Sequence, residues 1–328
     1  MSAIHSYLAR IRVMAQAFGN TLLLWGKLRC EFSSEWAIAN WPQIKNKLTL
    51  YIQLTRMNKP IGSLLLLWPT LWALWIAAKG LPSLHLFIVF VMGTFLARSA
   101  GCVMNDYADR EFDLHVERTK FRPLATAKVS TKEAFTVAIV LLLLAFLLVL
   151  TTNRLCVLLS LVAIPLATIY PYMKRHTYLP QFFLGLAYSW GVPMAFAAQT
   201  GEVPTLAWLV FIANLLWAVV FDTIYAMVDR EYDLEIGIKS TAILFDDADR
   251  MIIGIIQCMV LLVLAIIGNQ LAFSWIYYAS LVVAAGFSAY QQFLIRDRIP
   301  EKCFQAFLNN NWFGASVFSG ITLHYLYL

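Results

Sequence analysis

Asp109-Arg110-Glu111-Phe112-Asp113-Leu114 recurs 120 residues later as Asp229-Arg230-Glu231-Tyr232-Asp233-Leu234. The surroundings make the repetition unusual: 60% of the chain is hydrophobic, and 13 of its 19 carboxylates fall within Asp106–Glu117 or Asp222–Asp249. Carboxylates kept this way in an apolar chain hold or move cations. In the first cluster Asn105, Asp109 and Asp113 follow at i, i+4, i+8, with Asp106 one turn before Asp109, so a helix would carry them as one stripe. In the second, Asp222, Asp229 and Asp233 at i, i+7, i+11 predict another stripe, with Tyr225 beside it. Like charges at this spacing repel and disfavour the helix unless a cation neutralises them.

Aspartate without His or Cys suits a hard, oxygen-preferring ion, and Mg²⁺ held by one or two carboxylates completes its shell with substrate phosphates. The chain lacks a Gly-x4-Gly-Lys-Ser/Thr loop, which argues against a nucleotide and leaves a diphosphate. On this reading Arg118, Arg122, Lys174 and Lys239 are candidate diphosphate contacts. The bland alternative for the two clusters is mutual pairing with Arg110, Arg118, Arg230 and Lys239, and for Arg122 and Arg175 it is membrane-surface anchoring. Arg98 is different. It sits seven residues before Asn105, two turns deeper on the same face, where a buried arginine needs an anion; a substrate carboxylate would suit its bidentate fork, and structural pairing or snorkelling is the alternative.

The elements that must position these residues are membrane helices. A mean hydropathy of +0.68 and recurring apolar stretches near 20 residues predict an all-α, polytopic membrane protein. Nine spans are expected: Ile61–Ala78, Leu84–Met104, Ala134–Thr151, Leu155–Tyr172, Gln181–Gln199, Leu206–Tyr225, Met251–Gly268, Trp275–Leu294 and Trp312–Tyr327. Four of them separate the acidic loops, so both loops emerge on one side and can share a site. Eight Lys and Arg precede the first span, whereas the loops of the opposite side carry Lys79, Arg154 and little else. The positive-inside rule then puts the N-terminus and both acidic loops in the cytoplasm and accounts for the net charge of +6 without nucleic acid.

Residues 1–48 read as a basic, amphipathic extension before a transmembrane domain over 49–328; an interfacial helix, a dispensable extension and a transit peptide are the alternatives. The five scattered cysteines lack metal or redox spacing and read as packing residues.

Gly101-Cys102-Val103-Met104-Asn105-Asp106-Tyr107-Ala108-Asp109-Arg110-Glu111-Phe112-Asp113 resembles the NDxxDxxxD motif of the UbiA-type intramembrane prenyltransferases, and Asp222 to Asp233 resembles their DxxYAxxDxxxD motif. Lys59-Pro60-Ile61-Gly62, Leu67-Trp68-Pro69-Thr70-Leu71-Trp72, Tyr170-Pro171-Tyr172-Met173-Lys174-Arg175 and Ile236-Gly237-Ile238-Lys239-Ser240-Thr241 are similar to the branch that prenylates 4-hydroxybenzoate for ubiquinone synthesis. The resemblance runs from about Leu48 to the C-terminus.

It implies nine transmembrane helices around a central cavity opening at the cytoplasmic face, and Mg²⁺ ions bridging the Asp motifs to a polyprenyl diphosphate. It assigns Asn105, Asp106, Asp109, Asp113, Asp229 and Asp233 to the metal, Arg118 and Lys174 to the diphosphate, and Arg98 to the carboxylate of 4-hydroxybenzoate. Asp222 and Tyr225 would lie near the reacting carbons, with Arg56 and Tyr188 as further pocket candidates. The implied setting is the bacterial inner membrane, with the mitochondrial inner membrane as the alternative. Homogentisate, a naphthoate, haem or a chlorophyll precursor remain alternative acceptors, and an ion-coupled transporter is the rival from another class. The chain departs from the pattern at Phe121, where Asn is common, and at Ala127 and Asp246, where Gly is common. The last two bear on local loop conformation, since Gly permits positive φ.

Overall fold

The computed structural model describes residues 40–327 apart from 115, 117 and 118. Most of the expected N-terminal extension, before residue 40, and the candidate Arg118 lie outside the described residues. Two compact units divide between Tyr51 and Ile52. In the first, residues 40–51 are helical. The second holds every element below, and no strand occurs among the described residues.

Its helices are α1 (Ile61–Ala78), α2 (Leu84–Asp109), α3 (Thr131–Val149), α4 (Arg154–His176), α5 (Pro180–Ser189), α6 (Gly191–Thr200), α7 (Thr205–Ala226), α8 (Arg230–Glu235), α9 (Thr241–Phe245), α10 (Asp249–Gln270), α11 (Trp275–Leu294) and α12 (Pro300–Tyr327). A 3₁₀ turn, Asp246–Ala248, joins α9 to α10. Side-chain caps set several starts: Ser83, Ser130 and Asn153 accept from the backbone N–H of Leu86, Glu133 and Cys156. Seven described helical stretches are long and apolar enough to cross a membrane.

Two differences from the expected spans have physical causes. The stretch read as one span over Gln181–Gln199 is two ten-residue helices meeting at Trp190. Pro193 lacks the N–H that would bond the Ser189 carbonyl, and its ring crowds that carbonyl, so the helix breaks there. The last expected span, Trp312–Tyr327, belongs to a 28-residue helix that begins at Pro300. Its interior carries Asn309, Asn310 and Asn311, which lower its hydropathy. These are paired inside the fold: Asn310 Oδ1 accepts from Trp217 Nε1 at 2.9 Å, Asn311 Oδ1 from Trp68 Nε1 at 2.9 Å, and Asn309 Oδ1 from Gln291 Nε2 at 3.1 Å. Polar groups survive in an apolar interior only with such partners.

The core is aromatic where α1, α7 and α12 meet. Trp72 stacks on Trp217 at 5.4 Å, and Trp217 also meets Phe221 and Phe313 at 5.4 and 5.3 Å. Gly314 permits this approach: a Cβ there would sit 2.6 Å from Trp68 and 2.8 Å from Trp217. By contrast α3 buries only Ala134 and Ala138, and α4 only Cys156 and Pro171. Their exposed leucines and isoleucines suit an apolar solvent.

Candidate active site

The first acidic stripe forms as expected. Helix α2 continues past its apolar section to Asp109, carrying Arg98, Asn105 and Asp106 with it. The chain then turns, yet Asp113 N–H still donates to the Asp109 carbonyl at 2.8 Å, so Asp113 keeps nearly helical register. The second stripe does not form on one helix. Helix α7 ends at Ala226, and Asp229 occupies the N-cap of the separate α8, which carries Asp233. Asp222 therefore belongs to a transmembrane helix and the other two to a loop helix. Three carboxylates in register on one rod would repel, and the break separates them.

One cavity of about 560 Å³ collects these residues. Its wall includes Asn105, Asp106, Asp109, Asp113, Asp222, Asp229 and Asp233, together with Arg56, Arg98, Arg122, Lys174, Lys239, Tyr188 and Tyr225. Every candidate site residue that is described thus borders it. Asp106, Asp109 and Asp113 are buried, at 2%, 5% and 5% exposure.

Buried carboxylates need cations. Arg56 Nη2 donates to Asp106 Oδ1 at 2.5 Å, and Arg122 Nη1 lies 3.1 Å from the same oxygen. Arg122 Nη1 also donates to both Asp113 oxygens, at 2.9 and 2.8 Å. Lys174 Nζ is 2.5 Å from Asp109 Oδ1, an ion contact whose alignment leaves that buried oxygen without a hydrogen bond. Burial, reinforced by Asp109 and Asp106, pushes the Asp113 carboxyl up to about 6 although Arg122 opposes the shift.

The cations form two groups. Arg56, Arg122 and Lys174 neutralise the first stripe. Arg98 has no ion pair among the described residues: Nη1 donates to Cys102 Sγ at 2.9 Å, its guanidinium lies 5.7 Å from the Tyr188 ring centre, and buried Nε has no partner. Gly62 makes room for it, since a Cβ there would meet Nη2 at 2.9 Å. Cys102, read from sequence as packing, is thus also the group beside this guanidinium. Lys239 borders the cavity with its ammonium turned to the His176 carbonyl at 3.4 Å and to the Tyr178 ring. Arg110 pairs with Glu111 at 3.5 Å, and Arg230 pairs with Asp246 and Asp249. Arg175 donates to the Ala108 carbonyl, capping the end of α2.

The wall also includes Tyr170, Phe221, Phe304 and Phe307, which were not singled out by sequence. Tyr170 stands within the Tyr-Pro-Tyr motif, which is a usable signal. The phenylalanines have none, because an aromatic residue in an apolar span looks the same whether it faces lipid, core or cavity. Two of the three departures from the motif pattern prove to be conformationally special: Ala127 and Asp246 both have positive φ, +55° and +44°.

The donors fit a hard cation. All are carboxylates or an amide on one cavity, and Asp106, Asp109 and Asp113 among them are buried. No three acidic, His or Cys side chains among the described residues converge closely enough to hold an ion unaided.

A family model described as the UbiA prenyltransferase family matches residues 66–316. The chain is 57% identical over 282 residues to a 4-hydroxybenzoate octaprenyltransferase of Aliivibrio fischeri (strain MJ11), covering 86% of this chain and 98% of that one. It is 53% identical over 282 residues to the enzyme of the same name from Coxiella burnetii (strain CbuK_Q154), again covering 86% and 98%. Among solved structures, the apo UbiA homolog from Aeropyrum pernix K1 superposes with a TM-score of 0.70 at 22% identity, covering 80% of this chain and 98% of that one. The UbiA homolog from Archaeoglobus fulgidus bound to GPP and Mg²⁺ gives 0.63 at 19% identity, covering 83% and 99%. Two aspartate-rich segments on one cavity, a helical fold shared with these structures and a family match across most of the sequence agree: the chain belongs to the UbiA prenyltransferase family.

Proposed function

We infer that this protein transfers a polyprenyl group from polyprenyl diphosphate to the 3-position of 4-hydroxybenzoate, a step of ubiquinone synthesis. Relatives of that name at 53–57% identity over nearly their whole length support the reaction. The observation that carries the acceptor at this site is Arg98, a cavity-lining guanidinium that no carboxylate among the described residues contacts by hydrogen bond or salt bridge. Asp222 on the same wall acts on it only through space, so a neutral or phenol-only acceptor would leave the guanidinium without a directly bonded anion.

Asn105, Asp106, Asp109, Asp113, Asp229 and Asp233 would hold the ion, and the choice of Mg²⁺ accords with a structural neighbour that is bound to GPP and Mg²⁺. When bound, Mg²⁺ supplies Lewis-acid neutralisation of charge on the departing diphosphate. Lys174, Arg122 and Arg56 bring positive charge to the same end of the cavity and stabilise the leaving group electrostatically. Arg118 is assigned to it by motif position, and Lys239 by its place after the second acidic stripe and on the cavity wall. Arg98 fixes the ring through its carboxylate. Tyr170, Tyr188, Phe221, Tyr225 and Phe307 present aromatic surface that excludes water and favours an allylic cation. Asp222, a cavity-lining carboxylate with no hydrogen bond or ion pair among the described residues, would take the ring proton.

Counting α5 with α6 as one crossing and α12 as another brings the seven apolar stretches to nine. With the lysines and arginines on one side, the cavity opens to the cytoplasm and the protein resides in the bacterial inner membrane. An acceptor panel tests the reading: 4-hydroxybenzoate is prenylated, and phenol, homogentisate and a naphthoate are poor acceptors. Equal rates for phenol and 4-hydroxybenzoate would contradict it.

A further inference from the structure

Helix α8 carries Asp233 and begins beside Asp229, yet it has only six residues and buries none of them. A single exposed turn and a half does not hold itself together in water. Its position must be imposed from outside. The backbone contributes on one side, where the Ile238 N–H donates to the Asp233 carbonyl and the Lys239 N–H to the Lys174 carbonyl, both at 2.9 Å.

On the other side stands an ion cluster away from the first acidic stripe. Asp249, at the start of α10, is completely buried. Arg298, from the turn before α12, grips it with Nε at 2.9 Å from Oδ2 and Nη2 at 2.8 Å from Oδ1. Arg230, the first residue of α8, reaches the same carboxylate with Nη1 at 3.4 Å and donates through Nη2 to Asp246. A buried carboxylate held by a bidentate arginine is a fixed anchor. Asp246 adds an exposed contact, which contributes less. It does so from a left-handed backbone, φ +44°, where a glycine would be unstrained.

We propose that Arg230, seated on the Asp249–Arg298 pair and on Asp246, is a positioning residue that holds α8 so that Asp229 and Asp233 stay on the cavity as the second half of the metal site. The inference rests on the metal role assigned to those two aspartates. Arg230 acts through them and touches no substrate. Asp246 is retained at a strained position because its carboxylate completes the seat.

Mn²⁺ binding to the purified full chain, followed by electron paramagnetic resonance, tests this with thermal unfolding and both KM values. Arg230→Ala is expected to weaken Mn²⁺ binding at least fivefold and to raise KM for the prenyl diphosphate, leaving KM for the aromatic acid unchanged. Arg230→Lys recovers part of the loss. Asp246→Gly weakens Mn²⁺ binding about twofold without lowering Tm, because the strain goes with the contact. Wild-type Mn²⁺ affinity in both Arg230→Ala and Asp246→Gly overturns the proposal. So does a parallel loss of Tm and of affinity for both substrates, which a general packing role would produce. Asp229→Ala serves as reference: if it binds Mn²⁺ like the wild type, the metal reading fails and this inference with it, whereas a loss there without a loss in the Arg230 variants overturns the inference alone.

Discussion

Arg98 donates to a thiol with one nitrogen and to nothing with another, although it stands within a membrane helix. A substrate carboxylate resolves that imbalance. Arg98→Lys keeps the charge and loses the fork, so KM for the aromatic acid should rise roughly ten- to a hundredfold, the scale of about 1.5–3 kcal/mol for a hydrogen bond to a charged group. Removing the carboxylate from the acceptor should cost as much, with less than additive losses in combination. Steady-state kinetics with both acceptors decides it; a rise confined to the prenyl diphosphate would remove Arg98 from this role. Asp113 gives a second residue-level expectation. Its carboxyl is pushed up to about 6 by burial, so it gains a proton as pH falls through that value. A divalent cation must displace that proton, and its affinity should drop by up to about tenfold per pH unit below 6. Mn²⁺ titrations between pH 5 and 8 should show this slope, and Asp113→Asn should flatten it. A slope that the substitution leaves unchanged would mean another group titrates.

Hydropathy located most helices because a span needs only length and apolar composition, and α1 and α11 match their expected limits at both ends. What stayed hidden was set by single residues acting across helices. Pro193 breaks α5 from α6 through a carbonyl four residues back. Asn309, Asn310 and Asn311 make α12 look too polar to sit in an apolar core until their partners on α1, α7 and α11 are seen. The second acidic stripe looked continuous because spacing alone does not reveal that α7 stops at Ala226. For the site, repetition and spacing made the acids and their cations legible, whereas Phe304 and Phe307 carry no local mark. The close approach of α12 to α1 and α7 yields an element-level prediction. Gly314→Ala forces a methyl group against the indoles of Trp68 and Trp217, rings that cannot swing aside. The cost should be about 1–3 kcal/mol, seen as a lower unfolding temperature in detergent. An unchanged Tm would mean that the packing there is looser than described.

At the scale of the whole molecule, two acidic segments far apart in sequence border one cavity, which requires both loops to lie on the same membrane face. Leu114→Cys and Glu235→Cys, in a background without native cysteines, should react with an impermeant thiol reagent from the cytoplasmic side only. Labelling of one site from the cytoplasm and the other from outside would contradict the shared cavity, and labelling of both from outside would reverse the orientation. The central claim joins that cavity to its chemistry, and the direct measurement is product formation by the purified protein with polyprenyl diphosphate, labelled 4-hydroxybenzoate and Mg²⁺. The account predicts 3-polyprenyl-4-hydroxybenzoate, abolished by EDTA and reduced at least a hundredfold by Asp109→Ala or Asp229→Ala. Prenylated product formed at an undiminished rate in EDTA, or by either variant, would contradict it.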